Sequence, residues 1–390
     1  MELAKRVKNL PPYLFVQISR AIAEKKAQGM DVISFGIGDP DIPTPNSVIK
    51  ALKSASDNKI NHRYPESEGL PVLRKNISEF YKKRFGVNLD PETQVINLIG
   101  AKEGIAHAAL CFIDPGDIAI SPDPAYPVYE IGTMFAGGKC HMVQLRQENG
   151  YLLDPTDIPT DVAKKGKILW LNYPNNPTGA TASLEYFENL VRFCKEFDIA
   201  LLHDACYTEV AYNGFKPVSF LQADGAKDVG IEFHSLSKTY NMTGWRLGWV
   251  AGNRETIVAL SKVKSFMDTG QFLGVQAAGV AALESWEEWV PSNVATFKRR
   301  RDAAVRGLSE AGFDAALPKA TMYVWVSVPG GESSQAFSTR ALEQEGVIVM
   351  PGGALGAGGE GFFRIALTVT EERMLEATQR LGRLQRDSAC

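Results

Sequence analysis

The chain predicts an α/β protein, with a large unit carrying a mixed, mostly parallel sheet between helices and a smaller α+β unit behind it. Two patterns point there. From about residue 95 to 250, short apolar runs alternate with longer amphipathic ones, as strands and helices do when a sheet is covered on both faces. After about residue 284 the pattern changes to a long charged stretch followed by three strand-like runs. The length of 390 residues fits this division, since domains run to roughly 100–200 residues each.

Taken in order, the strand candidates are residues 95–99, 117–120, 141–145, 168–171, 199–203, 231–235 and 247–250 in the first unit, and 323–326, 347–349 and 362–366 in the second. Residues 101–112 follow Gly100 with helical character, and residues 184–197 have helical spacing between two strands. Ser121-Pro-Asp-Pro124 reads as a turn, and the glycine-rich stretch 352–361 as a flexible loop near the site. The charged helix runs through Lys298-Arg-Arg-Arg301. In sheets of this kind ligands sit at the carboxyl ends of the strands, so polar residues just past a strand end carry the most weight.

Composition excludes several classes. Lys plus Arg number 42 against 45 Asp plus Glu, a net charge of −3, which argues against nucleic acid or an anionic membrane as partner. No run reaches the ~18–20 apolar residues of a membrane span, and the first ten residues lack the apolar core of a signal peptide. Cys111, Cys140, Cys194, Cys206 and Cys390 are scattered with no Cys-x-x-Cys pair, so no disulfide framework and no metal site is expected. A cytoplasmic protein is the expectation.

No Gly-x-Ser-x-Gly, His-Glu-x-x-His or phosphate-binding Gly-Lys-Ser/Thr loop is present. Nor does a Gly-x-Gly-x-x-Gly open a βαβ unit, which speaks against a nicotinamide dehydrogenase. The informative segment is Ser235-Leu-Ser-Lys-Thr-Tyr-Asn-Met-Thr-Gly-Trp-Arg246. A lysine between small hydroxyl residues lies just past a strand, with an arginine eight positions on. Taken singly, Lys238 reads as a surface lysine. In this setting it reads as an amine that can form a Schiff base with an aldehyde, with Ser and Arg donors at hand for a phosphate. Gly100 allows a tight turn into a helix, whose free N–H groups at Ala101 and Lys102 attract an anion.

With these residues the chain resembles, over essentially its whole length, the fold-type I pyridoxal-phosphate enzymes, and among them the class I/II aminotransferases. The resemblance implies pyridoxal 5'-phosphate as cofactor, amino acids and 2-oxo acids as substrates, and a homodimer with the active site at its interface. It divides the chain into an N-terminal arm with part of the small domain (1–45), a large cofactor-binding domain (46–285) and a small C-terminal domain (286–390). Lys238 is then the Schiff-base lysine and proton shuttle. Asp204, in Leu201-Leu-His-Asp-Ala-Cys-Tyr207, partners the ring nitrogen, although alone it reads equally as a helix cap. Tyr207, and Asn176 in Tyr173-Pro-Asn-Asn-Pro-Thr-Gly179, hydrogen-bond the ring oxygen, and Tyr126 stacks on the ring. Ala101, Lys102, Ser235 and Arg246 hold the phosphate, with Tyr64 reaching it from the neighbouring subunit. Arg364 grips the substrate carboxylate, with Gly38 and Asn176 beside the substrate. Tyr129 reads as core, and Cys206 as packing. Gly353 and Leu355 stand where the family often has a serine and an aromatic residue, so contacts expected from that loop are in doubt.

Four segments narrow the resemblance: Leu10-Pro-Pro-Tyr-Leu-Phe15, Phe35-Gly-Ile-Gly-Asp-Pro-Asp41, Tyr64-Pro-Glu-Ser-Glu-Gly69 and Ser237-Lys-Thr-Tyr-Asn-Met-Thr-Gly-Trp-Arg246. Together they are similar to the bacterial and archaeal LL-diaminopimelate aminotransferase group, which implies amino transfer between LL-2,6-diaminopimelate and 2-oxoglutarate in lysine biosynthesis. A general aspartate, alanine or aromatic aminotransferase shares the same cofactor residues, as does a carbon–sulfur β-lyase. An aminotransferase-like sensor domain of a transcription regulator would need a preceding DNA-binding module. The start at Met1-Glu-Leu-Ala-Lys5 leads to the expectation of none.

Overall fold

The computed structural model describes residues 1–12 and 14–387. Tyr13, within the segment 10–15, and Cys390 lie outside the described residues. In chain order the strands are β1 (Ile33–Ser34), β2 (Val95–Leu98), β3 (Ile118–Asp123), β4 (Lys139–Gln144), β5 (Gly166–Asn172), β6 (Ala200–Asp204), β7 (Gly230–Ser235), β8 (Gly248–Gly252), β9 (Tyr323–Ser327), β10 (Val347–Ile348), β11 (Met350–Pro351) and β12 (Phe362–Ala366).

Seven of these form one sheet in the order β2-β8-β7-β6-β5-β3-β4. Only β8 runs antiparallel to its neighbours; the pairs β7–β6, β6–β5, β5–β3 and β3–β4 are parallel. The central strands are apolar in nearly every position because both faces are covered. Their side chains alternate between two cores, as a period of two requires. Ile168, Trp170, Leu202, Ile231 and Phe233 join the helices Ala101–Phe112 and Arg254–Met267 on one face. Leu169, Leu171 and Leu201 join the helices Pro71–Phe85, Leu184–Phe197 and Leu273–Glu284 on the other.

The helix Leu184–Phe197 shows how sequence sets an element. Ser183 caps it by accepting from the Tyr186 N–H, and Phe187, Leu190, Val191 and Cys194 make one buried stripe at the i, i+3, i+4, i+7 spacing of a single helix face. The charged stretch after residue 284 is the helix Trp286–Glu310, but two of its arginines are not solvated. Arg300 grips Asp41 with Nη1 and Nη2 at 2.6 and 3.0 Å, and Arg301 donates to the Pro318 carbonyl at 2.9 Å beneath the Tyr212 ring.

Beyond the main sheet, β11-β12-β9 form a second, antiparallel sheet, and β1 pairs in parallel with β10. The run 347–349 therefore gives only Val347 and Ile348 to a strand, and the chain enters the second sheet just beyond it, at Met350. Two expectations are corrected here. The stretch 121–123 is not a turn but the end of β3: pairing with β5 stops at Ile120, so Pro122 lacks an N–H only on a side with no ladder left to fill. The glycine-rich stretch is not an open loop. It folds into the 3₁₀ turns Gly352–Leu355 and Ala357–Gly359, packed so closely that a Cβ on Gly352 would lie 2.0 Å from the Gly359 carbonyl oxygen.

Candidate active site

A cavity of about 360 Å³ opens at the carboxyl ends of β5, β6 and β7. Gly38, Ala101, Lys102, Tyr126, Asn176, Asp204, Tyr207, Ser235, Lys238, Arg246 and Arg364 all line it, so every singled-out site residue except Tyr64 meets there. Tyr64 is 88% exposed and lies off the cavity. Neither Gly353 nor Leu355 reaches the cavity; the Leu355 carbonyl instead accepts from the Ala125 N–H at 2.8 Å.

Each side chain is held by its element. Asp204 ends β6, and both carboxylate oxygens are anchored: Tyr129 Oη donates to Oδ2 at 2.8 Å, and the Cys206 N–H to Oδ1 at 3.2 Å. Lys238 sits in the short turn Leu236–Thr239 after β7, where its Nζ donates to the Gly38 carbonyl. Ser235 caps that turn, its oxygen accepting from the Ser237 N–H at 3.1 Å, which leaves its own proton free to donate. Gly100, at φ 72°, takes the chain from β2 into the helix Ala101–Phe112. A Cβ there would come within 2.5 Å of Arg246 Nη2. Arg246 is itself in the left-handed region at φ 54°, its carbonyl taken by Gln271 Nε2 at 2.8 Å and its Nη1 donating to the Thr243 carbonyl at 2.8 Å.

Arg364, on β12, is 1% exposed. Its Nη1 donates to Asn176 Oδ1 at 2.7 Å and its Nη2 to the Gly36 carbonyl at 2.8 Å, while Nε is buried with no partner among the described residues. Because the Asn176 oxygen is taken, its amide N–H groups stay available as donors toward the cavity. Burial pushes the Tyr207 hydroxyl well above its ordinary range, and Tyr323 beside it adds to the effect, so Tyr207 stays protonated and can donate. Burial likewise raises the Cys206 thiol, with the Asp204 carboxylate adding to it. That keeps this cavity-lining sulfur protonated and unreactive.

Three features escaped the sequence. Tyr129 is core, as expected, but its hydroxyl also anchors Asp204. Tyr323 lines the cavity, its hydroxyl 3.0 Å from that of Tyr207. Below the sheet, Glu232 is fully buried and takes five donors: His203 Nδ1, His234 Nε2 and the Phe220 N–H at 2.9 Å each, Ser219 Oγ at 2.8 Å and Tyr81 Oη at 3.1 Å. Burial works to raise the Glu232 carboxyl, but the hydrogen bonds and charges of His203 and His234 overcome it and hold the group well below the ordinary carboxylate range. A readable signal existed: His203, Glu232 and His234 are polar residues at alternate positions of otherwise apolar strands. Elsewhere Glu103, His107 and Asp268 converge, but Lys264 bridges the two carboxylates at 3.3 and 2.6 Å.

The family model for class I and II aminotransferases matches residues 30–381. The chain belongs to the class I and II aminotransferases. Its relatives include the LL-diaminopimelate aminotransferases of Dehalococcoides mccartyi strain 195, 52% identical over 98% of both chains, and of Moorella thermoacetica, 51% identical over 98% of both. Among solved structures, substrate-bound BacF from Bacillus subtilis superposes with a TM-score of 0.95 at 37% identity, covering 98% of both chains. A Thermus thermophilus aspartate aminotransferase variant does so with a TM-score of 0.92 at 29% identity, covering 98% of this chain and all of that one. This aminotransferase therefore has the fold-type I architecture, and no helix among its described residues is long and apolar enough to cross a membrane.

Proposed function

We propose that this aminotransferase moves an amino group from LL-2,6-diaminopimelate to 2-oxoglutarate, yielding glutamate and an amino-keto acid that closes to tetrahydrodipicolinate with loss of water, and that its resident cofactor is pyridoxal 5'-phosphate. The observation that carries the cofactor is the donor set of this cavity: the Lys238 amine, the doubly anchored Asp204 carboxylate, the neutral donors Tyr207 and Asn176, and a cationic helix-start pocket that a Cβ at position 100 would fill. The substrate rests on relatives of that name at about half identity over the full chain.

The donor set fits the cofactor group by group. The N-terminal N–H groups of Ala101 and Lys102, the Ser235 hydroxyl and the Arg246 guanidinium would hold its phosphate. Tyr126 would stack on its ring, Asp204 would take the ring N–H, and Tyr207 and Asn176 would donate to the ring oxygen. When bound, the cofactor supplies an aldehyde that condenses with amines and a protonated ring that withdraws the electron pair left at the substrate Cα. Lys238 Nζ would hold the aldehyde carbon and, once displaced by the substrate amine, carry the proton from and to Cα. Arg364 would take the α-carboxylate with its planar fork and so fix the direction of the Cα–H bond. Gly38, on the cavity wall, would lie beside the substrate.

Each site is completed, in this reading, by the partner's Tyr64 within a homodimer. The support is a set of exposed apolar side chains: Ile60, Tyr64, Phe266 and Met267 are 62, 88, 87 and 57% exposed, and His62 packs on Phe272 with ring centroids 5.3 Å apart. The division at residues 45 and 285 accords with β1 pairing to β10. A reducing cytoplasm suits the free Cys111, Cys140, Cys194 and Cys206.

The test is a panel of amino donors with 2-oxoglutarate, including LL- and meso-diaminopimelate, aspartate, alanine and an aromatic amino acid, scored by glutamate formed. LL-diaminopimelate should lead. Failure with it alongside turnover of aspartate or alanine overturns the substrate, and ammonia and pyruvate released from cystathionine without an acceptor would make the protein a β-lyase. Lys238→Ala should keep the far-ultraviolet dichroism of the wild type and lose turnover, and borohydride, which reduces a Schiff base to a stable amine, should fix the cofactor to the wild type but not to the variant. A wild type to which borohydride fixes no cofactor would refute the cofactor reading.

A further inference from the structure

We propose that Tyr323 is a positioning residue that acts on both halves of the site at once: its hydroxyl aligns Tyr207 for donation to the cofactor's ring oxygen, and its ring holds the Arg364 guanidinium for the substrate carboxylate. The inference rests on the reading of Tyr207 and Arg364 given above. Tyr323 opens β9, 3% exposed, whereas Tyr207 follows β6 in the main sheet, so their contact joins two sheets. The hydroxyls are 3.0 Å apart, and the rings meet edge to face at 5.4 Å and 69°.

Proton counting gives the contact a direction. A phenol has one proton. If Tyr207 gives its own to the ring oxygen, the bond between the phenols must have Tyr323 as donor. A donor behind a donor polarises it, and such chains strengthen each link by roughly 10–30%. Burial keeps Tyr207 protonated, so the chain has a proton to pass on.

On its other side, Tyr323 places its ring 4.1 Å beneath the Arg364 Cζ. Two nitrogens of that guanidinium are tied to Asn176 and Gly36, and the ring fixes the plane that those two bonds leave free to tilt. Gly38 records how closely this side chain fills the site: a Cβ at position 38 would lie 2.2 Å from the Tyr323 hydroxyl oxygen.

Two variants separate the two roles. Tyr323→Phe keeps the ring and loses the hydroxyl, so the pH midpoint of the holoenzyme's visible band should rise by about 0.3 unit. Its dissociation constant for maleate, an unreactive dicarboxylate read by absorbance change, should stay as in the wild type. Tyr323→Leu loses both, so the same midpoint shift should come with roughly tenfold weaker maleate binding. A Tyr323→Phe midpoint equal to that of the wild type overturns the alignment of Tyr207. Maleate binding weakened equally in both variants overturns the ring's role at Arg364. A wild type that takes up no pyridoxal phosphate overturns the cofactor reading itself, and this inference with it, a result plainly distinct from a loaded wild type beside an unshifted variant.

Discussion

Replacing Glu232 by leucine should destabilise the enzyme far more than replacing it by glutamine. The leucine removes an acceptor shared by His203, His234, Ser219, Tyr81 and the Phe220 N–H and offers nothing in return. The Ser219 and Tyr81 hydroxyls can rotate, but the Phe220 amide cannot change its role. Removing one member of a buried ionic group costs about 3–5 kcal/mol. With an unfolding entropy of about 2.1 cal/mol/K per residue, the whole chain would lose roughly 4–6 K in its transition temperature. Glutamine can keep its oxygen toward Phe220 and His203 and turn its amide toward the two hydroxyls, so it should cost about 1–2 kcal/mol. Acid gives an independent reading. The folded carboxyl is held below its ordinary range, so its stabilisation is full above the unfolded value of about 4.3 and drains away as the pH falls below it. Calorimetry of the holoenzyme should therefore show a transition temperature that falls more steeply below about pH 4 in the wild type than in Glu232→Gln. A leucine variant as stable as the glutamine one, or equal acid slopes, would refute the account of a charged, fully bonded node.

Three further changes probe the cavity itself. Arg364→Ala strips Asn176 and Gly36 of a donor as well as removing the fork, so kcat/KM should drop about 100-fold for every amino donor alike; a loss confined to one donor would count against a carboxylate clamp. Tyr129→Phe deletes the 2.8 Å bond to Asp204, so the cofactor should bind roughly tenfold more weakly by equilibrium dialysis, and unchanged affinity would leave Tyr129 as mere packing. Gly100→Ala puts a Cβ against Arg246 at a φ of 72° and should weaken cofactor binding at least about tenfold. Gly86→Ala, at a φ of 69° with open space around it, should cost only the backbone strain of about 1–2 kcal/mol and leave cofactor affinity alone. Equal cofactor affinity in both variants would show that the pocket at residue 100 holds no phosphate.

What could be read from the amino acids, and what could not, follows from sequence distance. Lys238, Ser235 and Arg246 stand within twelve positions, and Asp204 and Tyr207 within four; local spacing displayed the first three, while the family resemblance supplied the other two. The helix Leu184–Phe197 and the apolar strands of the main sheet were equally plain, since their periodicity is local. Tyr323 contacts Tyr207 across 116 positions and Arg364 from the adjacent strand, and nothing in Tyr323-Val-Trp-Val326 marks it off from an ordinary strand aromatic. At the end of β3 the prolines signal a turn, because only the tertiary fold shows that the neighbouring ladder has already stopped there. The glycines of 352–361 suggested freedom where close backbone packing demanded them.

The alternation of side chains along β6 and β7 explains why the buried node and the cavity belong together. His203 and Asp204 are neighbours, as are His234 and Ser235, and neighbours on a strand face opposite sides. Asp204 and Ser235 therefore turn toward the cavity, while His203 and His234 turn beneath the sheet to the same Glu232 carboxylate. His203 Nε2 also lies 3.0 Å from the Tyr173 carbonyl, three residues before Asn176. One buried anion thus fixes the ends of three adjacent strands at the point where each delivers a side chain to the site. Loosening it should spread Asn176, Asp204 and Ser235 relative to one another, so Glu232→Gln should lose cofactor affinity as well as stability, although Glu232 touches nothing in the cavity.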